Sequence, residues 1–286
     1  MKPPFTYFGG KTAIADHIAA MLPPHEHYVE PFAGSLAVLL AKAPAPMETV
    51  NDLDGHLMNF WRVLRERPED LARVCALTPH ARAEAELVDV SPSQWPADLD
   101  DLERARRIWV RLTQCRGGHT LRRTGWRYDT DYRGGRGYPM PAYLDTYVSR
   151  IAPAAARLHK VSLECRPALE VIAKYGRHPG VLIYADPPYL KDVRTWTNSA
   201  GYGHEMHAED EHRELAASLR SAGAAVVLSG YASPIYDGLY DGWHRTEIAA
   251  RADNGTSGQR TRTEVLWSNR PFPLGDLFAA VNERNP

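Results

Sequence analysis

The 286-residue chain, 44% hydrophobic and 24% charged, has the make-up of a globular protein of two domains or of one domain with a large insertion. No apolar run approaches the ~20 residues that cross a bilayer, and the Met1–Phe5 start lacks the apolar core of a signal peptide. Three scattered cysteines form neither a disulfide framework nor a zinc knuckle, so a reducing, cytoplasmic setting without a membrane partner is expected. The net charge of −1 hides an asymmetry: residues 56–157 hold 17 Arg and no Lys against 13 acidic residues. Ten of those arginines fall between 104 and 136, which points to a polyanionic partner.

In chain order, Ile14, Ile18, Met21 and Leu22 give one apolar face to a helix expected over Thr12–Leu22, ended by Pro23-Pro24. Gly9, Gly10 and Lys11 at its start would make an anion seat; the plainer reading is a glycine turn. Tyr28-Val29-Glu30-Pro31-Phe32-Ala33-Gly34-Ser35 reads as a strand, a tight turn and a helix from Ser35 to Lys42. It is neither a P-loop nor Gly-x-Gly-x-x-Gly, so phosphate and dinucleotide readings are weak. Glu48–Asp52 is a short strand ending in an acid, the place of a ribose-binding carboxylate. An anion seat, a lone-glycine turn and a ribose acid together describe a nucleoside with an amino acid tail, and S-adenosylmethionine fits.

From Asp54 to Arg157 the chain reads mainly helical, with a helix over Arg104–Arg116. Thr120–Pro139, rich in Gly, Arg and Tyr around Trp126, reads as an exposed loop or β-hairpin. Arginines interleaved with aromatics suit phosphates, base edges and wedging into a duplex; the alternative is a solvated basic face. Arg106 and Arg107 are expected at phosphates, Arg122, Arg123 and Arg127 at base edges, with Arg116 and Trp126 beside them. Val161–Glu164 is a strand and Ala168–Tyr175 a helix.

Val181-Leu182-Ile183-Tyr184-Ala185 is an unbroken apolar run suited to a strand buried on both faces. Asp186-Pro187-Pro188-Tyr189 stops it with a stiff turn that offers a carboxylate, outward carbonyls and a flat ring. Such a trio suits a flat heterocycle bearing an amino group. Leu190–Met206 reads as a loop that closes over a bound base, or as a passive surface loop. The histidines from His204 to His212 lack zinc-protease spacing, so no metal is expected.

Phe8-Gly9-Gly10-Lys11, Glu30-Pro31-Phe32-Ala33-Gly34-Ser35, Asn51-Asp52 and Asp186-Pro187-Pro188-Tyr189, in this order, resemble the Dam-type (class D12, alpha group) DNA adenine-N6 methyltransferases. His207–His212, Val226–Tyr231 and Arg262–Trp267 are similar to later blocks of that family, most like its phage-type members. The resemblance covers roughly residues 5–60 and 160–270. It implies an α/β fold: a Rossmann-like S-adenosylmethionine-dependent methyltransferase sheet over 1–55 and 158–286, with a mainly helical target-recognition domain inserted at 56–157. The implied reaction moves a methyl group from S-adenosylmethionine to adenine N6 in DNA, with the base flipped out. Asp186, Pro187, Pro188 and Tyr189 would be catalytic. Tyr7, Gly9, Gly10, Lys11, Glu30, Pro31, Phe32, Ala33, Gly34, Ser35, Asp52 and Asp186 would bind the cofactor, with Lys11 at its carboxylate. DNA is the implied partner, and a cognate restriction nuclease is one the resemblance allows. Methylation of cytosine N4 or of RNA adenine, and a non-catalytic DNA-binding role, stand as alternatives. One block departs from the family: Cys165-Arg166-Pro167 stands where many members have an acid at the cofactor's adenine. Either a backbone group substitutes there or cofactor affinity is lower.

Overall fold

The computed structural model describes residues 1–121, 124–128, 139–189, 206, 208–252 and 260–273. Its centre is β4, Val181–Ala185, every residue of which is buried. Alternate side chains explain why. Leu182 and Tyr184 enter one apolar cluster and Val181, Ile183 and Ala185 another on the opposite face, as the two-residue period of a strand requires.

Around β4 the sheet has seven strands in the order β3-β2-β1-β4-β5-β7-β6. The others are β1 His27–Glu30, β2 Met47–Asn51, β3 Val161–Glu164, β5 Ala225–Gly230, β6 His244–Ala252 and β7 Arg260–Ser268. The first five run parallel; β7 is antiparallel to both β5 and β6. The chain winds outward from β1 to β3, then crosses back to β4 on the other side of β1. This is the doubly wound arrangement, and the carboxyl ends of β1 and β4 flank the point where the winding reverses. The fold is the Rossmann-like α/β one expected.

Helices cover both faces. α9 (Ala168–Tyr175), α10 (Glu209–Arg220) and α11 (Pro234–Leu239) pack Val171, Ile172, Leu215, Leu219 and Tyr236 on one side. On the other lie α1 (Ala15–Ala20), α2 (Ala37–Ala41) and α3 (Gly55–Glu66). α3 is built as its sequence dictates: the Asp54 carboxylate caps it by accepting from His56 N and Leu57 N, and Leu57, Phe60, Trp61 and Leu64 form its buried stripe. α4 (Pro68–Leu77), α5 (Arg82–Val88), α6 (Asp101–Gln114), α7 (Met140–Val148) and α8 (Ile151–Leu158) follow before the chain returns to β3. These helices continue the cluster that covers the sheet.

Indole donors key the helical segment to the N-terminal part of the sheet domain. Trp61 Nε1 donates to Gly34 O at 3.1 Å and Trp109 Nε1 to Pro4 O at 3.1 Å. Losing either buried donor would orphan a carbonyl, at ~1–3 kcal/mol each.

The first helix differs from the sequence reading. It spans only Ala15–Ala20, with turns before it, so Gly9, Gly10 and Lys11 do not stand at a helix N-terminus. Gly10 N donates to Tyr7 O instead, closing a separate turn with Gly9 at φ 72°. The dipole part of the expected anion seat is therefore absent.

Candidate active site and nucleic-acid face

Two turns at the carboxyl ends of β1 and β4 build the site. After β1, Gly34 has φ 46°, and a Cβ there would lie 2.9 Å from Tyr7 Cε1. Only glycine accepts both the left-handed backbone and the close ring. The turn is locked by Asp52, whose Oδ2 accepts from Gly34 N at 2.9 Å while Oδ1 accepts from Asp54 N at 2.9 Å. Leu36 follows at φ 55°, a strained conformation for a branched residue, and its side chain is fully buried.

The result is a cleft of about 330 Å³, within the range of small-ligand sites. Every residue expected to bind cofactor lines it: Tyr7, Gly9, Gly10, Lys11, Glu30, Pro31, Phe32, Ala33, Gly34, Ser35, Asp52 and Asp186. The sequence reading missed Thr120, Leu169, Met206 and Leu215, and it named Pro167 only within the block that lacks the family's acid. Pro167, Leu169 and Phe32 supply an apolar wall where the family acid was absent. The Arg166 backbone is tied to Asn51, its N donating to Asn51 Oδ1 and its O accepting from Asn51 Nδ2, which leaves that carbonyl one lone pair.

Glu30 lines the cleft almost without exposure, at 3%, its Oε2 accepting from the Tyr28 hydroxyl at 2.9 Å. Burial, reinforced by nearby Asp186, pushes its carboxyl up to about 8 despite that hydrogen bond.

The β4 turn carries the second half. Lys11 Nζ donates to Asp186 Oδ1 and Oδ2, each at 2.8 Å, and to Gly9 O at 3.0 Å, and stands 4.8 Å from the Tyr189 ring centroid. Lys11 therefore meets the carboxylate of the β4 turn while also lining the cleft. A buried ammonium needs an anion, and Asp186 is the one it bonds, with Glu264 Oε1 farther off at 3.8 Å. Pro187 and Pro188 are buried, and Pro188 lines the cleft. Tyr189 is 4% exposed, its hydroxyl 2.9 Å from Asp186 Oδ1 and 2.5 Å from Glu264 Oε1. Ser229 Oγ donates to the same Glu264 oxygen at 2.6 Å. Glu264 lay in a block that the resemblance marked, but no sequence signal gave it a partner.

The arginine-rich segment divides in two. Arg106 donates to Glu103 and Glu84, at 2.6 and 2.7 Å, and to Thr78 at 3.2 Å. Arg107 donates to Glu103 at 2.8 Å and lies over Trp95. With side-chain exposures of 13% and 10%, both tie α6 to its neighbours, a correction to the phosphate contacts expected of them. Arg111 is buried and donates to the Val88 and Val90 carbonyls; Arg104 donates to Pro96, Ala97 and Leu99 carbonyls.

Beyond α6 the backbone turns back on itself. Arg127 N donates to Gln114 O, Arg116 N donates to Gly125 O, and Cys115 bridges Trp126 antiparallel. Trp126 stacks on exposed Tyr128, with Arg82 4.8 Å from the Trp126 centroid and Arg116 5.7 Å from that of Tyr128. Arg82 was not picked out in the sequence; it comes from α5 and joins the ring stack only in the fold. Arg122 and Arg123 lie outside the described residues, as does the expected loop over 190–205.

The family model for D12 class N6 adenine-specific DNA methyltransferases matches residues 7–253. The chain belongs to this family. It methylates N6 of adenine in DNA. The type II methyltransferase M1.LlaDCHI of Lactococcus lactis subsp. cremoris is 28% identical, the match covering 93% of this chain and 95% of that one. The retron Ec67 DNA adenine methylase of Escherichia coli is 25% identical over 90% of this chain and 88% of that one. The DNA N-6-adenine-methyltransferase of Escherichia phage P1 is 25% identical over 82% of this chain, which spans 30% of the phage protein. Nothing in these comparisons favours a cytosine amine, RNA or a non-catalytic role. No helix among the described residues is long and apolar enough to cross a membrane, and no group of three or more metal-ligating side chains occurs among them.

Proposed function

We propose that the enzyme binds S-adenosylmethionine in the cleft between the β1 and β4 turns and methylates an adenine flipped out of duplex DNA. The observation that carries this reading is the pairing of Asp186 with an ammonium at the rim of that cleft. Both its oxygens take N–H bonds from Lys11, beside an aromatic ring, so the corner is built to receive an amino group.

The residues fit the cofactor. Asp52 sits where a ribose is held, Phe32, Pro167 and Leu169 offer an apolar slot for its adenine, and buried Glu30 offers a counter-charge. At the start of α9 the Ala168 and Leu169 amides precede the first helical hydrogen bonds, and these donate to a ring nitrogen of the heterocycle, a different contact from the amino hydrogen an acid would accept. When bound, S-adenosylmethionine supplies the electrophilic methyl. Asp186 and the Pro187 carbonyl accept the two hydrogens of the target N6, which turns the nitrogen lone pair out of ring conjugation. Lys11 yields Asp186 to the amine, and Tyr189 stacks on the base. Catalysis is then positioning and electrostatics, with no strong base needed because the proton leaves after the methyl arrives.

Residues 1–55 and 158–286 form the catalytic part in this reading, and 56–157 the recognition part. Trp126, Tyr128, Arg82 and Arg116 present its DNA face, joined by Arg122, Arg123 and Arg127. The protein works in the cytoplasm, and a cognate restriction nuclease is a partner consistent with a protective methyl mark. The test is transfer of labelled methyl from S-adenosylmethionine to DNA, followed by mapping of methylated adenines. Product confined to another base, or none on any adenine-containing duplex, overturns the proposal.

A further inference from the structure

Behind the β4 turn lies a carboxyl that the mechanism has not used. Glu264, on β7, is 4% exposed. The groups facing it are Lys11 from the Gly9–Lys11 turn, at 3.8 Å, Asp186 and Tyr189 from the β4 turn, Tyr184 within β4, and Ser229 on β5. Its partner across the β6 ladder is apolar Ile248.

The proton count around Tyr189 is short by one. Its hydroxyl has a single hydrogen, yet a carboxyl oxygen lies within bonding distance on each side, at 2.9 and 2.5 Å. Lys11 offers one positive charge to two carboxyls and is bonded to Asp186. The arrangement closes if Glu264 holds a proton: its O–H donates to the Tyr189 oxygen, and the Tyr189 O–H donates to Asp186 Oδ1. Burial and the proximity of Asp186 favour that form by raising the Glu264 carboxyl above its usual range, against the pull of Lys11.

We propose that Glu264 is a positioning residue for methyl transfer, donating through the Tyr189 hydroxyl to fix both the stacking ring and the Asp186 oxygen that receives the target amine. The inference rests on the adenine-methylating role of Asp186 and Tyr189 proposed above. With the chain complete, Asp186 Oδ1 is held from behind and the carboxylate faces the cleft in one orientation. When Glu264 ionises, the Tyr189 hydrogen turns toward it, and Asp186 loses that donor.

Single-turnover methylation of DNA across the pH range in which the protein stays folded tests this, comparing wild type with Glu264→Gln, Glu264→Ala and Tyr189→Phe. The glutamine amide still donates to Tyr189 but cannot ionise. Wild type is expected to lose rate as pH rises through the ionisation of Glu264; Glu264→Gln is expected to stay within about threefold of wild type at neutral pH, and to lack that alkaline fall. Glu264→Ala is expected to lose on the order of tenfold to a hundredfold in rate, with cofactor affinity and melting temperature near those of the glutamine variant. Adding Glu264→Ala to Tyr189→Phe should cost little more, since both cut the same chain. An alkaline limb unchanged in Glu264→Gln, or full activity in Glu264→Ala, overturns the inference while leaving the adenine methyltransferase reading standing. Should the alanine variant fail to fold, the glutamine pH profile and Tyr189→Phe decide alone. A wild type inert on every adenine-containing duplex overturns both.

Discussion

Glu30→Gln isolates the cost of keeping a carboxyl inside the cleft. In the folded, cofactor-free protein Glu30 binds its proton up to about 8, against an ordinary value of 4.5, because burial disfavours the charge. Below 4.5 the group is protonated in folded and unfolded chains alike and exerts no pH-dependent effect. Between 4.5 and about 8 the folded protein holds one proton more than the unfolded chain, so stability falls as pH rises, by about 1.4 kcal/mol per pH unit. At pH 7 the accumulated loss is about 3 kcal/mol, and above pH 8 it levels near 5 kcal/mol. A glutamine keeps an oxygen for the Tyr28 hydroxyl and escapes this loss. Urea unfolding of the two proteins at several pH values should therefore show a stability difference that grows in favour of Glu30→Gln from mildly acid to mildly alkaline pH. Other groups titrate in both proteins and largely cancel in that difference. A difference flat in pH would show that Glu30 ionises as readily in the fold as in the unfolded chain, and the claim that burial holds its proton would fail. The same variant should bind S-adenosylmethionine more weakly. Calorimetry in buffers of different ionisation enthalpy should register proton release on binding to wild type and none to the variant.

Asp186→Ala should reduce methyl transfer on the order of a hundredfold or more, read in single turnover, with the S-adenosylmethionine dissociation constant little changed; normal turnover would remove Asp186 from the chemistry. Asp52→Ala should weaken S-adenosylmethionine binding by ~1.5–3 kcal/mol, measured calorimetrically, because a ribose loses its charged acceptor and Gly34 N its anchor. Arg82→Ala should weaken binding to all duplexes and flatten the salt dependence by roughly one counterion. Arg106→Ala should instead leave DNA affinity unchanged while lowering unfolding stability, because its guanidinium is spent on Glu103 and Glu84. The reverse pattern would put the DNA face on α6.

What could be read from the sequence was what short range decides. The apolar run before Asp186, the two prolines after it, and an acid at the end of β2 fix strand ends within a few residues, so the cleft residues were legible one by one. Charges were not, because a formal count ignores pairing. Glu103 stands three and four residues before Arg106 and Arg107, a spacing that favours ion pairs on a helix, but Glu84 reaches Arg106 only through the packing of α5 on α6. Likewise Lys11 and Asp186, or Tyr189 and Glu264, are brought together by the order of the strands.

The same is true of the joint between recognition and chemistry. Phe8 N donates to Gly118 O at 2.9 Å, and the Phe8 ring stacks on His119 at 4.4 Å. Gly117 and Gly118 have φ of 80° and 66°, and a Cβ at Gly118 would meet the Thr6 carbonyl at 2.9 Å. The residues that lead out of α6 toward the aromatic and arginine cluster thus press on the turn that carries Lys11, and Thr120 reaches the cleft wall. Dividing the sequence into a catalytic part and an inserted part suggests two tasks joined by a linker. The backbone instead packs the residues that follow α6 against the turn that carries Lys11, and Lys11 in turn holds Asp186, so the two stretches share one contact surface.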